Sequence, residues 1–145
     1  MKQDKVDFLI IGAGIIGLTI ARELIYKFPK SKIIILEKEN QLAAHSSGRN
    51  SGVLHAGFYY TADSLKARFS RDGNYYMKEY CEKNNLKINY SKKAVVAQNK
   101  SEVATIYELH KRGIKNGVDV KIINQAELDK LDSNIKTTEI ALYSP

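Results

Sequence analysis

The first ordered pattern is an apolar run from Val6 to Ile11, broken only by Asp7, with the length of a short buried strand. Gly12-Ala13-Gly14-Ile15-Ile16-Gly17 follows without a spacer. Apolar positions then recur at three- and four-residue steps, and Gly17, Ile20, Ala21, Leu24 and Phe28 form one stripe of a helix. Pro29 and Lys30-Ser31-Lys32 end it. Ile33-Ile34-Ile35-Leu36 predicts a second buried strand, β-branched and closing at Glu37. Strand, helix and parallel strand in this order make a βαβ unit, whose crossover is right-handed.

From Gln41 to Thr61 no period survives, and Gly, Ser, Asn and His dominate the first part. A long irregular stretch inside a compact domain is functional or disordered. Val53, Leu54, Phe58, Tyr59 and Tyr60 make this one too apolar for disorder. Helical spacing returns from Ser64, a candidate N-cap, to about Asn84, with Leu65, Phe69, Gly73, Tyr76 and Tyr80 on one face. The aromatic members of that stripe are expected in the core. Lys93 to Ala97 predicts a strand. Ser101 to Asn116 predicts an amphipathic helix with Val103, Ile106, Leu109 or His110, and Gly113 inward, stopped by Asn116-Gly117. A strand over Val118 to Ile123 and a short helix over Gln125 to Leu131 complete the pattern. A boundary falls near Leu86 to Ser91, dividing the chain into residues 1–88 and 89–145.

Composition narrows the classes. The chain has 145 residues, 43% hydrophobic and 27% charged, close to ordinary globular values. Its single cysteine, Cys81, forms no intramolecular disulfide and has no Cys or His at metal-ligand spacing, so no metal site is expected. The net charge of +7 comes from dispersed lysines rather than an Arg/Lys cluster with interleaved aromatics, which argues against nucleic acid. Phe8 to Ala21 is the only long apolar stretch and is too short to span a bilayer. Its three spaced glycines, with Asp4 and Asp7 ahead of it, also speak against a signal peptide.

The chemistry begins at Gly12-x-Gly14-x-x-Gly17. Alone this is a weak signal. Here it follows a strand, opens a helix and precedes an acid, Glu37, by about 20 residues, the context that a dinucleotide fingerprint requires. Gly12 permits the tight turn, Gly14 lets backbone approach a pyrophosphate, and Gly17 lets helix and strand pack closely. The helix start offers amide donors and partial positive charge to phosphate. Glu37 would accept from ribose hydroxyls and disfavour a 2′-phosphate, arguing against NADP. FAD and NAD share this fingerprint. The segment His45-Ser46-Ser47-Gly48-Arg49-Asn50-Ser51-Gly52-Val53-Leu54-His55-Ala56-Gly57-Phe58-Tyr59-Tyr60 presents small residues and donors suited to an extended anionic cofactor.

Three stretches together resemble the D-amino-acid oxidase-like superfamily of FAD-dependent oxidoreductases, and most of all its L-2-hydroxyglutarate oxidase/dehydrogenase branch. They are Asp7 to Gly17, Leu36-Glu37-Lys38-Glu39, and His45 to Tyr60 with Ser64-Leu65-Lys66-Ala67-Arg68. The resemblance implies an α/β fold: an incomplete Rossmann-like FAD-binding βαβ domain followed by the start of a mixed α+β substrate domain. It implies FAD as cofactor, with Gly12, Gly14, Ile15, Ile16, Gly17, Glu37 and Lys38 at the ADP end. Ser47, Arg49, Asn50 and Ser51 would lie along the pyrophosphate and ribityl chain, and His55, Ala56 and Gly57 near the isoalloxazine. The implied reaction is oxidation of an L-2-hydroxy acid to a 2-oxo acid, with hydride passing to flavin N5 and electrons on to oxygen or a quinone-linked acceptor.

A base is needed for the hydroxyl proton, and His55 is the candidate, with His45 second. A structural His55 bonding backbone is the competing role. Tyr59 and Tyr60 read as packing rather than as an entrance, and His110 as a partly buried packing residue. Family members are much longer than this chain. The resemblance therefore implies an N-terminal portion, inactive by itself, whose remaining half a separate chain could supply. Small-molecule substrate, cytoplasmic location and association with the inner membrane face for quinone-linked transfer are implied in the same way. The glycerol-3-phosphate and amino-acid branches, an NAD module and a non-catalytic nucleotide-binding module stay open as alternatives.

Overall fold

The computed structural model describes residues 5–145; Asp4 lies outside them. Nine elements follow in order: β1 (Phe8–Ile11), α1 (Ile15–Lys27), β2 (Ile33–Leu36), α2 (Leu65–Lys83), β3 (Lys93–Val96), α3 (Lys100–Lys115), β4 (Lys121–Asn124), α4 (Gln125–Asp129) and β5 (Ile140–Ser144). They fall into two compact units that divide between Val53 and Leu54. This division comes earlier than the Leu86–Ser91 change in the sequence pattern. The 54–60 segment buries Phe58 in the core shared with α3, and α2 reaches Asn116 through Arg71.

The first unit is the expected βαβ. β1 and β2 pair in parallel with Phe8 opposite Ile33 and Ile11 opposite Leu36. Asp7, the one polar residue in the opening run, clasps the start of this pair: its Oδ2 accepts from Lys32 N at 2.8 Å. α1 buries only small residues, Gly17 and Ala21. The reading of β1 as fully buried is corrected: Leu9 and Ile11 are exposed, Ile11 at 84%, because they share one face of the strand, while Phe8 and Ile10 on the other face are half-buried. After β2, residues 37–53 form turns and irregular chain.

The second unit closes a core of its own. β5 is the middle strand of a three-stranded antiparallel sheet of order β3-β5-β4, with Val95 and Ile122 both opposite Leu142. Phe58, Ile106, Val120 and Leu142 pack together in one cluster; Ile123, Leu128 and Ala141 form another. α3 turns Ile106, Leu109 and Gly113 inward, so Leu109 rather than His110 takes the buried position. α4 starts with a capping box: Asn124 accepts from the Glu127 amide and the Glu127 carboxylate accepts from the Asn124 amide.

One expectation fails here. Phe69, Tyr76 and Tyr80 are exposed, Phe69 at 63% and Tyr76 at 65%. α2 carries a second stripe at the same spacing, Ala67, Ser70 and Asn74, and this is the less exposed one. Close approach of backbone selects it: a Cβ at Gly57 would stand 3.2 Å from Ala67 O and 3.4 Å from Ser70 Cβ. Large side chains could not sit there.

Candidate functional site

Gly12 leaves β1 with φ +99°, a left-handed conformation that glycine adopts without a Cβ penalty, and its amide donates to Leu36 O at 2.7 Å. Gly14 is the N-cap of α1, in extended conformation and with no side chain to accept from the helix amides. That vacancy is filled across the chain: Ser47 Oγ accepts from Ile15 N at 2.9 Å. A Cβ at Gly14 would lie 3.1 Å from that same oxygen. At Gly17 an added Cβ would overlap Gly12 O outright and crowd Ile10. The three glycines thus serve three separate needs: dihedral angle, close approach of Ser47 to the helix start, and helix–strand contact.

Glu37 ends β2 half-buried. One carboxylate oxygen accepts from Ala13 N at 2.7 Å and the other from Glu39 N at 3.0 Å. These backbone donors, Ala13 first, hold its pKa below the ordinary glutamate value; partial burial opposes the shift, and the Lys38 amide and the charge of His45 add to it. The acid is therefore fixed, ionised, against the glycine turn. Each oxygen keeps lone-pair capacity for a further donor.

The following loop folds back on the same turn. Ala43 N donates to Ala13 O at 3.1 Å. Ala43 itself takes φ +55°, and a Cβ at Gly48 would overlap Ala43 O. Asn50 Nδ2 donates to Ser46 O and Ser47 O at 3.0 and 2.9 Å, and its Oδ1 accepts from Gly52 N at 2.8 Å. Ser51 Oγ accepts a long bond from Val53 N. Gly12, Gly14, Ile15, Gly17, Glu37 and Ser47 are thus brought together. Ile16 lies beside them with an exposed side chain. Lys38 points to solvent and pairs with Glu39 at 3.5 Å. Arg49 is exposed, and among the described residues no carboxylate pairs with it. Its guanidinium is available to an anion.

His45 hydrogen-bonds Glu39 Oε1 at 2.8 Å and so ties the loop to the end of β2. It is a brace in this arrangement. His55 belongs to the second unit and is exposed. The flanking carbonyls of its segment are held, Leu54 O by Asn74 Nδ2 at 3.1 Å and Gly57 O by Asn116 Nδ2 at 3.2 Å. Tyr59 stacks against Phe58 at 4.3 Å between ring centroids, with Lys93 Nζ 4.7 Å from its own ring. Sequence reasoning missed Ala13, Ala43 and Gly48, whose parts are played by backbone. The signal for Gly48 was its place in a Ser-Ser-Gly turn; for Ala13 there was none beyond the fingerprint.

The sequence and the fold have counterparts among known proteins. Residues 7–145 match the family model described as FAD dependent oxidoreductase. An L-2-hydroxyglutarate dehydrogenase of Salmonella houtenae is 44% identical over 129 residues, covering 89% of this chain and 31% of that protein. The mitochondrial L-2-hydroxyglutarate dehydrogenase of Homo sapiens is 39% identical over 125 residues, covering 86% of this chain and 27% of that protein. The chain thus spans about a third of the length of the curated relatives it matches. Among solved structures, an L-proline dehydrogenase from P. horikoshii superposes with a TM-score of 0.79 at 22% identity, covering 98% of this chain and 37% of the other. A glycine oxidase from Geobacillus kaustophilus gives the same TM-score at 20% identity, covering 99% and 40%. Those two likenesses establish the fold, and the family match over nearly the whole sequence establishes descent: the chain belongs to the family of FAD-dependent oxidoreductases.

Proposed function

We propose that this chain supplies the ADP-binding end of a flavoenzyme that oxidises L-2-hydroxyglutarate to its 2-oxo acid. The observation that carries the cofactor assignment is the fixed carboxylate of Glu37 on the Ala13 amide, beside a glycine cradle at a helix start. A fit test on the residues is favourable. At Gly14 an added Cβ would crowd Ser47 Oγ at 3.1 Å, so the helix start stays closely lined by backbone and hydroxyl, and Arg49 is unpaired by any described acid. Substrate class rests on the relatives, named as L-2-hydroxyglutarate dehydrogenases, at about 40% identity.

In this reading the backbone of Gly12, Gly14 and Ile15 and the amides of Ile16 and Gly17 lie along the pyrophosphate, the Ile15 amide being held by Ser47. Ser47 uses its oxygen to accept from Ile15 N and keeps its hydroxyl proton for a phosphate oxygen. Glu37 accepts from the ribose hydroxyls through the lone pairs its backbone bonds leave, and Lys38 flanks the adenosine. Arg49 neutralises phosphate charge, while Asn50 and Ser51 hold the loop along the ribityl chain. Bound FAD supplies the hydride acceptor. His55 takes the proton of the substrate hydroxyl, as an exposed imidazole with no competing carboxylate among the described residues. In the same reading residues 1–88 belong to the cofactor side and 89–145 open the substrate side; the change from parallel to antiparallel pairing at β3 favours that boundary, whereas the compact units divide at Val53 and Leu54.

No helix of the described residues is long and apolar enough to cross a membrane. A cytoplasmic protein that meets a quinone-linked acceptor at the inner membrane face is part of the same proposal. The test is anaerobic: purified full protein should carry flavin absorbance that L-2-hydroxyglutarate bleaches, while the D-enantiomer, glycerol-3-phosphate and glycine leave it unchanged. Bleaching by glycine or glycerol-3-phosphate instead would move the substrate assignment, and a colourless protein that cannot be loaded with FAD would end it.

A further inference from the structure

α3 stops at Asn116, whose side chain joins three parts of the second unit. The residue is 5% exposed, and its Nδ2 donates to two carbonyls of one turn, Gly57 O at 3.2 Å and Tyr60 O at 3.0 Å. Its backbone amide closes on Arg112 O at 2.8 Å, and its backbone oxygen accepts from Arg71 Nη1 of α2 at 3.2 Å. A carboxamide presents two N–H donors in one rigid plane, which two carbonyls of a tight turn can both use. Removing the donors would leave two carbonyl oxygens of a largely buried turn without these partners.

The turn has little other freedom. Phe58 is 2% exposed in the core, and Gly57 at φ +100° lies against Ala67 O and Arg71 N of α2. Gly113 lets α3 come close enough that an added Cβ would stand 3.3 Å from Phe58 Cβ. On the other side of His55, Asn74 Nδ2 grips Leu54 O at 3.1 Å. His55 is therefore bracketed, one residue after a carbonyl held from α2 and two before a carbonyl held from the end of α3.

We propose that Asn116 is a positioning residue that sets the backbone of residues 54–60 and through it the imidazole of His55, without touching substrate or cofactor. This rests on the reading of His55 as part of the reacting centre. Asn116→Asp keeps the shape but turns both donors into acceptors facing carbonyl oxygens; Asn116→Ala removes them. Ile106→Val serves as a control that loosens the same core without meeting the turn's carbonyls.

The experiment measures amide hydrogen exchange and steady-state kinetics on the full protein. Both Asn116 variants should exchange the amides of residues 55–61 at least about tenfold faster while the middle of α3 keeps its protection. Their kcat should fall about 10²-fold with a smaller change in KM, as expected for a displaced group. Ile106→Val should lower thermal stability and do neither. Variants that lose stability like the control, with unchanged exchange at 55–61 and unchanged kcat, would overturn the proposal. A protein that takes up no flavin sinks the functional reading alone, since exchange at 55–61 still decides whether Asn116 holds the segment.

Discussion

The two units of this chain are stabilised in different ways. In the first, the buried residues among those described are Ala13, Gly17 and Ala21, and the large apolar side chains Leu9, Ile11, Ile16 and Leu36 are exposed. Its order comes from backbone: parallel strand pairing, the Ala13 and Glu39 amides on Glu37, and the Gly52 amide and the Ser46 and Ser47 carbonyls held by Asn50. In the second, Phe58, Ile106, Leu128 and Leu142 are almost wholly removed from water. A unit built around close backbone approach keeps its polar groups near the surface, where a ligand reaches them. A unit built around side-chain burial is the one expected to resist denaturant.

The largest effect should come from emptying the second core. Leu142→Ala should cost about 2–5 kcal/mol by urea denaturation, whereas Ile11→Ala should stay within about 0.5 kcal/mol. Equal losses at the two positions would abolish the contrast. Next comes Gly17→Val, where the added atoms meet the Gly12 carbonyl and α1 must lift from β1. A cost of about 1–3 kcal/mol is expected, with loss of FAD retention on gel filtration. Gly113→Ala is the matched change in the second unit. There the obstacles are buried side-chain carbons, Val120 Cγ2 at 2.5 Å and Cγ1 at 3.2 Å with Phe58 Cβ at 3.3 Å, so the core must shift and stability is expected to fall while FAD is retained.

Glu37→Gln should weaken FAD binding about tenfold in a fluorescence titration, since an amide nitrogen must replace one acceptor of a backbone N–H. The same carboxylate gives a pH signature. Its pKa is depressed in the folded state, so its contribution is complete above the ordinary glutamate value and disappears as pH falls through the folded value. Wild-type protein should therefore lose thermal stability on acidification more steeply than Glu37→Gln; parallel profiles would remove Glu37 from the account. The smallest effect is at α2, where Ser64 Oγ accepts from Ala67 N at 3.1 Å. Ser64→Ala should cost about 1 kcal/mol and Ser64→Asp should restore it, read from urea midpoints.

What could be read from the sequence was what neighbours along the chain decide. The βαβ order, the glycine fingerprint with Glu37, the Ser64 cap and the inward face of α3 are all local patterns, and all appear. The face of α2 was misjudged because two stripes share the helical period and only the Gly57 turn, distant in sequence, chooses between them. β5 was missed because Ile140 to Ser144 is a short run with no turn signal of its own. Its strand character comes from partners on both sides. The two carbonyls that Asn116 holds lie more than fifty positions away (|i−j| of 59 and 56), so composition gave it only the role of a helix stop. Exposure of Leu9 and Ile11 followed from what covers each face of a two-stranded sheet, which periodicity does not report.

The position of β5 also carries a consequence for biogenesis. It is fifth in the chain yet central in its sheet, so β3 and β4 have no common partner until residues 140–144 have left the ribosome. The first unit pairs β1 with β2 across a short crossover and has its partners in hand much sooner. During synthesis the glycine turn with Glu37 is thus expected to take shape first, while Phe58 and Ile106 wait for Leu142. A premature stop just upstream of Ile140 would release a chain with a formed glycine turn and a sheet still missing its keystone.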